Sequence, residues 1–442
     1  MKLVAAILIL LVSLATTVAR AQAPDHHHHR NVQNVVVIFQ ENRSPDNLFG
    51  SNPSFLPGVD IASSGTNSQG QTIPLTAVKL ANNYDLSHTH SAFVAMYDNG
   101  NMDGADKIPV ACAKNAQGCP PSNPQFKYVD NSTGILDPYF QLAEQYTFGD
   151  RMFQTNQGPS FPAHQFIISG TSAPSADSDL FAAENPAGVA NAGNNTGCDA
   201  PSGEFVRLVD PSGHESQKMY PCFEHQTLAD LLDNAGVSWR YYAPSAGSIW
   251  TGPNAIQHLR FGSDWNNDVV LNPAQVLTDI SNGQLAGVTW VIPTGQESDH
   301  AAGNFGLGPA WVASVVNAIG GSQYWDNTVI FITWDDWGGW YDHVAPNVIN
   351  SYEYGFRVPL IVVSPFAKQG YVSHVTHDFG SILRFIEETY QLPSLGYADA
   401  MADDFSDCFD FRQHNVFQKI KAPHDGKYFV NDKTPPQDPD ND

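Results

Sequence analysis

The sequence predicts an α/β domain with a mostly parallel central β-sheet, and three features of the chain support this prediction. Continuous apolar runs of strand length recur along it, as expected of strands that are covered on both faces. Segments with helical periodicity separate these runs. Stretches rich in Gly, Asn, Ser and Pro interrupt the pattern and are too long for simple connections. Alternating strands and helices are typical of a parallel sheet.

The predicted elements follow in order along the chain. Strands are expected at residues 35–39, 237–242, 288–292, 328–333 and 360–363. Helices are expected at residues 227–234, with Gly236 as a C-cap signal, at 309–319 and at 379–390. The long polar stretches, at about 50–130, 173–222 and 244–275, are expected to be loop-rich insertions that form a cap over the functional site.

Composition and charge exclude several classes of protein. Hydrophobic residues make up 42% of the chain and charged residues 15%, which suits a large core and not a disordered protein. The 45 acidic residues outnumber the 21 Lys and Arg, for a net charge of -24. Such a surface repels nucleic acid and anionic membranes, so we expect neither as a partner. A single phosphate group can still bind in a pocket that carries a metal ion.

The N-terminus predicts export to the periplasm or the medium. Lys2 precedes an apolar stretch over 3–18, and a small-x-small sequence follows at 21–23, so we expect a signal peptide over 1–23. The apolar stretch is short and contains Ser13, so a membrane span is not expected. One large domain is expected over 24–421, with an acidic flexible tail over 422–442.

The five cysteines fit an oxidising compartment. Their positions predict disulfides between Cys112 and Cys119 and between Cys198 and Cys222, and they leave Cys408 over.

Acidic residues follow two of the predicted strands, at the end where parallel sheets bind ligands. Glu41 and Asn42 come after the strand at 35–39, and Asp335 and Asp336 come after the strand at 328–333. Two buried carboxylates about 4 Å apart repel by roughly 4 kcal/mol at an effective dielectric of 20, and a bound cation removes that cost. The oxygen donors suit one divalent ion, with Ca²⁺ favoured over Mg²⁺ or Mn²⁺, and a histidine nearby leaves Zn²⁺ or Fe open. The alternatives are a capped turn and a solvent-exposed Asp-Asp turn.

Ser160 is the candidate nucleophile. Gly158 and Pro159 before it indicate a tight turn, and Pro162 is typical of the first turn of a helix. Ser160 is therefore expected near a helix N-terminus, where backbone N–H groups receive an anion. The alternative is that Ser160 is only an N-cap. The sequence around it does not match the G-x-S-x-G elbow of α/β-hydrolases.

Histidines supply candidate acids. Asp299 and His300 follow the strand at 288–292, where they can orient or protonate a substrate, or where Ser298 simply caps a helix. His88 and His90 share one face if their segment is extended, and otherwise they are surface loop residues.

Five sequence blocks resemble, in order, the motifs of the bacterial phosphoesterase family, which contains phosphocholine-type phospholipases C and a secreted acid phosphatase. The resemblance spans about residues 33 to 391 and departs from the family at Asn101, where the family has Lys. The blocks are Glu41-Asn42-Arg43-Ser44, Met102-Asp103-Gly104, Gly158-Pro159-Ser160-Phe161-Pro162, Ser298-Asp299-His300, and Asp335-Asp336-Trp337-Gly338-Gly339 with Asp342-His343.

The resemblance implies an α/β/α sandwich related to alkaline phosphatases and sulfatases. It also implies roles for the candidate residues: Ser160 as nucleophile; His88, Asp299 and His300 as phosphoryl-binding or acid groups; and Glu41, Asn42, Asp335 and Asp336 as metal ligands. The distance along the chain to the Met-Asp-Gly block favours His88 over His90. His343 is expected to be a supporting or structural residue.

The leading hypothesis is a secreted, metal-dependent phosphoesterase that forms a phosphoserine. Its substrate is a phosphate monoester or the head-group phosphodiester of a phospholipid. Trp334, Trp337, Trp340 and Tyr341 could form an aromatic box for a choline-like group, although core packing is the commoner role. The alternative is a secreted carbohydrate-active hydrolase or a calcium-dependent sugar-binding protein, which requires two separated carboxylates and gives Ser160 no role.

Overall fold

The computed structural model describes residues 31–189 and 195–436. The predicted signal peptide over 1–23 lies outside the described residues, as do the last six residues of the predicted tail. No helix within the described ranges combines the length and the apolar character that crossing a bilayer requires.

An eight-stranded sheet forms the centre of the fold. Its strands, numbered in chain order, are β1 (Asn34–Gln40), β2 (Thr147–Gly149), β3 (Trp239–Tyr242), β4 (Val269–Val270), β5 (Val288–Val291), β6 (Thr328–Trp334), β7 (Leu360–Val363) and β8 (Tyr371–Ser373). Their spatial order is β4-β3-β5-β1-β6-β7-β2-β8. Every strand runs in the same direction except β7, which is antiparallel to both of its neighbours.

The predicted strands are confirmed, with one shift. β1 and β6 are buried along their whole length, as their uninterrupted apolar sequences predict. The strand expected to start at residue 237 starts at Trp239. Gly236 ends the preceding helix at φ +68°, and the N–H of Val237 still donates to the carbonyl of Leu232.

Eleven α-helices occur in the described ranges, and the predicted ones are among them. They are α1 (Pro45–Phe49), α2 (His90–Tyr97), α3 (Asp137–Gln145), α4 (Ser160–Ser169), α5 (Leu228–Ala235), α6 (Gln257–Phe261), α7 (Asp264–Asp268), α8 (Gln275–Ser281), α9 (Gly308–Gly320), α10 (Phe379–Tyr390) and α11 (Gly426–Asn431). One group packs α4 against α5 and α10, and another packs α9 against α3, α8 and α11. This grouping fits helices that cover a central sheet in an α/β domain.

The first two predicted insertions carry short strands that pair outside the central sheet. These strands are Ser64–Thr66, Thr72–Pro74, Thr76–Val78, Tyr84–Leu86, Val110–Cys112, Lys127–Val129, Phe181–Ala182, Val206–Val209 and Gln217–Met219. Part of this region has a hydrophobic core of its own, which includes Phe93, Met96 and Trp337. Both predicted disulfides are confirmed, Cys112–Cys119 and Cys198–Cys222, and Cys408 is free and buried.

The segment after residue 421 is not wholly a solvated tail. Helix α11 lies within it. Its N-cap is Asp425, whose carboxylate accepts from the N–H groups of Lys427 and Tyr428. The ring of Phe429 is buried and meets Trp311 of α9 edge to face, with centroids 5.2 Å apart. This apolar contact fixes the segment, although its acidic composition predicts flexibility.

Candidate active site

Two pairs of polar residues meet where β1 and β6 end. These strands pair in parallel register, with Gln40 beside Trp334, so the residues that follow each strand lie at the same edge. The N–H of Asn42 donates to Oδ1 of Asp335 over 2.8 Å. The N–H of Asp336 donates to the same oxygen, also over 2.8 Å. The strand ends are thus joined directly through the Asp335 carboxylate.

The backbone turns sharply beneath these residues. Asn42 has φ +60°, a left-handed conformation that asparagine tolerates better than most residues. Gly338 has φ +63°, and a Cβ built on it would lie 2.3 Å from the carbonyl oxygen of Asn42. The N–H of Gly338 also donates to Oδ1 of Asp336 over 2.7 Å. Only glycine fits at this position, and the turn that it permits orients the Asp336 carboxylate.

Ser160 is the first residue of α4, and it faces the acidic residues. Its Oγ lies 3.4 Å from Oδ2 of Asp336 and 3.5 Å from Oε2 of Glu41. Pro159, not Ser160, occupies the N-cap position, so the hydroxyl is not used to cap the helix. The structure therefore brings Ser160 and the four predicted metal-ligating residues together in one buried cluster.

The cluster suits a divalent cation. Glu41, Asp335 and Asp336 are fully buried, and burial raises the pKa of the Asp335 carboxyl. Oδ2 of Asp335 and Oδ1 of Asn42 are buried atoms for which the described residues provide no hydrogen-bond partner. Carboxylate and amide oxygens are the donors that hard divalent ions prefer, and an ion at this place would satisfy both atoms.

His164 is a site residue that the sequence analysis missed. It lies one helical turn after Ser160 on α4, and its Nε2 is 3.1 Å from Oε1 of Glu41. Its Nδ1 is 3.2 Å from the hydroxyl of Tyr241, which donates its own hydrogen to the carbonyl of Trp250. Two neutral tautomers fit these contacts: a hydrogen on Nε2 donates to Glu41, whereas a hydrogen on Nδ1 donates to Tyr241 and leaves the Nε2 lone pair for an ion. The i, i+4 spacing from Ser160 is the sequence signal that could have revealed His164.

The charge state of His164 allows it to bind a cation. Burial lowers the pKa of this imidazole well below its usual value, so the ring is neutral near pH 7. In the tautomer with its hydrogen on Nδ1, the Nε2 lone pair and the Glu41 carboxylate can bind the same cation. Donor atoms of Glu41, His164 and Asp335 all lie within 4.8 Å of one another, close enough to share one ion.

His88 faces the cluster, and His90 does not. Nδ1 of His88 is 2.8 Å from the carbonyl of Leu86, so a neutral ring presents its Nε2 lone pair. That nitrogen lies 3.1 Å from Nδ2 of Asn42 and 3.9 Å from Oδ2 of Asp336. His90 instead places its Nδ1 2.6 Å from the carboxylate of Glu215.

His300 joins this group, whereas the side chain of Asp299 lies behind it. The rings of His300 and His88 have centroids 6.0 Å apart. The Asp299 carboxylate accepts from the hydroxyl of Tyr139 at 2.7 Å and from Nε1 of Trp334 at 3.1 Å. Burial raises the pKa of Asp299 to about 6. These contacts fix the backbone beside His300.

The other polar residues of the last sequence block, Asp342 and His343, lie in a network of ion pairs. His343 places Nδ1 2.7 Å from Asp46 and Nε2 3.0 Å from Asp60, and Arg357 bonds to Asp342 beside them. Trp334, Trp337, Trp340 and Tyr341 are buried, which fits core packing, the commoner of the two roles considered for them, and not an aromatic box.

Comparisons with known proteins identify the family of this chain. A model of the "Phosphoesterase family" matches residues 32–393. "Phospholipase C B" of Mycobacterium tuberculosis is 22% identical over 439 residues, which span 86% of this chain and 78% of that protein. "Hemolytic phospholipase C" of Pseudomonas aeruginosa is 24% identical over 455 residues, 87% of this chain and 56% of that protein. A solved protein of the alkaline phosphatase superfamily from Vibrio parahaemolyticus has a TM-score of 0.36 and 12% identity, covering 80% of this chain and 76% of its own.

The match to the family covers most of the chain, which confirms the resemblance found in the five sequence blocks. The chain therefore belongs to the Phosphoesterase family and is a hydrolase that acts on phosphoester bonds.

Proposed function

We propose that the chain is a divalent-metal-dependent phosphoesterase in which Ser160 attacks phosphorus. The observation that carries this proposal is the position of the Ser160 hydroxyl, between Glu41 and Asp336 at the start of α4. A carboxylate can take the hydroxyl proton as the oxygen attacks, and the helix N-terminus favours the phosphate anion. A phosphoserine forms as the bond to the leaving alkoxide breaks, and water then releases phosphate or the phosphorylated head group.

Glu41, Asn42, Asp335 and Asp336 are the proposed metal ligands, and His164 is added to them. When bound, the ion supplies Lewis-acid stabilisation of the phosphoryl oxygens and lowers the pKa of a coordinated hydroxyl. An all-oxygen set predicts Ca²⁺, but the neutral His164 nitrogen at 3.1 Å from Glu41 favours Zn²⁺ or Mn²⁺.

His88 and His300 are the proposed partners of the phosphoryl oxygens and the leaving group. Their rings meet edge to face with centroids 6.0 Å apart, and His88 also contacts the Asn42 amide. Asp299 is proposed to position His300 rather than to touch the substrate. Its backbone N–H donates to Gln40, and its backbone carbonyl accepts from Arg43. Both backbone polar groups of the residue before His300 are thus hydrogen-bonded.

A cavity of about 350 Å³ reaches Pro159, the residue before the nucleophile, and is the proposed substrate pocket. Pro159 lines it together with Glu184, Arg207 and Glu215. Burial and the neighbouring Glu215 raise the pKa of Glu184 to about 8, so this carboxyl is largely protonated at neutral pH. The charged and hydrogen-bonding side chains in the lining can bind a small phosphate ester or a polar head group.

The geometry favours this function over the carbohydrate-active alternative. Glu41, Asp335 and Asp336 gather around one point with Ser160, whereas a glycosidase needs two carboxyls on opposite sides of a sugar bond. We also infer a periplasmic or secreted location, which the two disulfides support.

The test is hydrolysis of p-nitrophenyl phosphate and p-nitrophenyl phosphorylcholine by the purified chain, before and after chelation. We expect turnover that chelation removes and added Zn²⁺ or Mn²⁺ restores. Glu41→Gln should lose nearly all activity at every metal concentration. Glu204→Gln is the matched control, because Glu204 is also buried but bonds to the N–H of Val189. Full activity after chelation, or equal activity of both variants, would contradict the proposal, and the preferred substrate identifies the ester class.

A further inference from the structure

We propose that the chain has a second metal site, outside the Ser160 cluster, at which His377, Asp407 and Cys408 bind a thiophilic divalent ion such as Zn²⁺. Nε2 of His377 is 3.6 Å from Oδ1 of Asp407 and 3.9 Å from Sγ of Cys408, and the last two atoms are 3.5 Å apart. Bonds of about 2.0 to 2.3 Å to one tetrahedral zinc ion place its ligand atoms roughly 3.3 to 3.8 Å from one another. The three donors thus already stand at the spacing of a zinc shell.

The orientation of His377 supports ligation through Nε2. Its Nδ1 lies 2.9 Å from Oδ2 of Asp403 without the angle of a hydrogen bond, so a small shift would let this carboxylate accept the imidazole hydrogen when an ion takes Nε2. Histidines that bind zinc in proteins have a carboxylate or carbonyl partner on the other nitrogen, which fixes the tautomer and raises the basicity of the ligand.

The ring of His377 is also fixed in place. It is fully buried and stacks on Phe405, with ring centroids 4.3 Å apart. Its backbone is anchored on both sides, since its N–H donates to Arg151 and its carbonyl accepts from Phe153. An ion would therefore bind to a nitrogen that is already oriented.

The two oxygens of the Asp407 carboxylate have different partners. Its Oδ2 accepts from the hydroxyls of Ser373 at 2.6 Å and Tyr371 at 3.3 Å, which leaves Oδ1 toward the thiol and the imidazole. The nearby ammonium of Lys368 donates to the backbone carbonyl of Asp407, not to its carboxylate. Ser373 Oγ, 2.9 Å from Nε2 of His377, is a fourth polar atom around the same point. Because its own hydrogen goes to Asp407, it accepts from Nε2 until an ion displaces that hydrogen.

A hydrolytic triad of Ser373, His377 and Asp403 has similar distances, but the structure argues against it. Ser373 is fully buried, and its hydroxyl hydrogen goes to Asp407. No substrate carbonyl can approach such a hydroxyl. The carboxylates of Asp403 and Asp407, in contrast, are partly exposed, with side-chain exposures of 27% and 21%, which gives an ion a route to the three donors.

The proposed ion would join two parts of the fold. His377 precedes α10 and follows β8, whereas Asp407 and Cys408 belong to the chain that crosses back after α10. Cys408 is the only cysteine of five outside a disulfide, and coordination would protect this thiol from oxidation in an oxidising compartment.

The test is Co²⁺ substitution of the full chain, followed by near-ultraviolet absorption. A cobalt–thiolate bond gives a charge-transfer band there, and only Cys408 can supply a thiolate, so the band reports this site alone. We expect the band in the parent and in Glu41→Gln, whose proposed defect is in the phosphoesterase cluster. We expect no band in Cys408→Ser, and one zinc ion fewer per chain than in the parent.

A second variant covers the case in which Cys408→Ser does not fold. Asp403→Asn removes the carboxylate beside Nδ1 but keeps all three donors, so the band should remain while the cobalt affinity falls about 10- to 100-fold. Absence of the band in the parent at saturating Co²⁺, or unchanged affinity in Asp403→Asn, would overturn the proposal and leave a hydrogen-bonded cluster without metal.

Discussion

The Ser160 hydroxyl lies 3.4 Å from Oδ2 of Asp336, although the two residues are 176 positions apart in the sequence. The contact exists because α4 begins where β6 ends, so a helix N-terminus meets the acidic edge of the parallel sheet. The contact is therefore made by the tertiary fold and not by residues close in the sequence. The sheet topology therefore creates the site, and changes at its turns should affect chemistry as well as stability.

Gly338→Ala should lower both stability and activity, and by more than the loss of glycine's backbone freedom alone would. The added Cβ would stand 2.3 Å from the carbonyl oxygen of Asn42, and φ is +63°. Gly70→Ala is the matched control, since Gly70 has φ +72° and open space around its Cβ position. Gly70→Ala should cost about 1 kcal/mol of unfolding free energy and leave kcat unchanged.

Thermal or urea unfolding and kcat measured on both glycine variants decide this prediction. Gly338→Ala should be less stable than Gly70→Ala by about 1–3 kcal/mol and should lose most of its activity. Equal stability and equal kcat of the two variants would show that the turn does not constrain Asn42.

His164→Gln should weaken metal binding without unfolding the chain. The substitution removes the Nε2 lone pair that lies 3.1 Å from Glu41, and loss of such a group typically weakens metal affinity 10- to 100-fold. His225→Gln is the control, because His225 is also buried with a lowered pKa but bonds to the carbonyl of Gln226. The measurement is the metal concentration for half-maximal activity. An unchanged value in His164→Gln would remove this residue from the proposed ligand set.

His343→Gln should lower stability in acid and neutral solution but not in alkali. The Asp46 carboxylate raises the pKa of His343 to about 9, against burial, which acts in the opposite direction. A raised histidine pKa stabilises the fold fully below the unfolded value of about 6.5, and this contribution is lost as the pH rises through about 9. The variant should be about 1–3 kcal/mol less stable at pH 6, with the difference shrinking by pH 9.5. A difference independent of pH in urea unfolding would contradict the proposed ion pair.

Asp299→Asn separates a positioning role from a catalytic one. Burial raises the pKa of Asp299 to about 6, so the native carboxyl resists ionisation and the fold loses stability as the pH rises from about 4 through 6. An amide keeps an oxygen for Tyr139 and Trp334, so the variant should be more stable at pH 7, by up to about 3 kcal/mol. We expect kcat to fall less than tenfold. A loss near that of a nucleophile variant would assign Asp299 a direct catalytic role.

The sequence revealed the fold and most of the site because both depend on local patterns. Buried strands such as β1 and β6 appear as unbroken apolar runs, and in a parallel sheet the residues that follow them must share an edge. Glu41, Asn42, Asp335 and Asp336 could therefore be grouped before their distances were known. Both disulfides were likewise suggested by proximity in the chain.

Other features depend on contacts that no local pattern encodes. His164 reads as one more residue of a buried helix, and only the position of β1 beside α4 brings it to Glu41. Asp299 appears in the same block as His300, yet its side chain turns to Tyr139 and Trp334. The segment beyond residue 421 looks solvated by composition, and the docking of Phe429 on Trp311 fixes it.

The most direct test of the central claim is single-turnover and steady-state hydrolysis of p-nitrophenyl phosphate, or of the preferred p-nitrophenyl ester, by Ser160→Ala. Ser169→Ala is the control, because Ser169 lies buried on the same helix and bonds to the carbonyls of Gln165 and Thr171. Ser160→Ala should lose about a thousandfold or more in kcat, Ser169→Ala should stay near the parent, and acid quenching of the parent should leave phosphate on the Ser160 peptide. A Ser160→Ala protein as active as Ser169→Ala, with no phosphorylated peptide in the parent, would contradict covalent catalysis by Ser160.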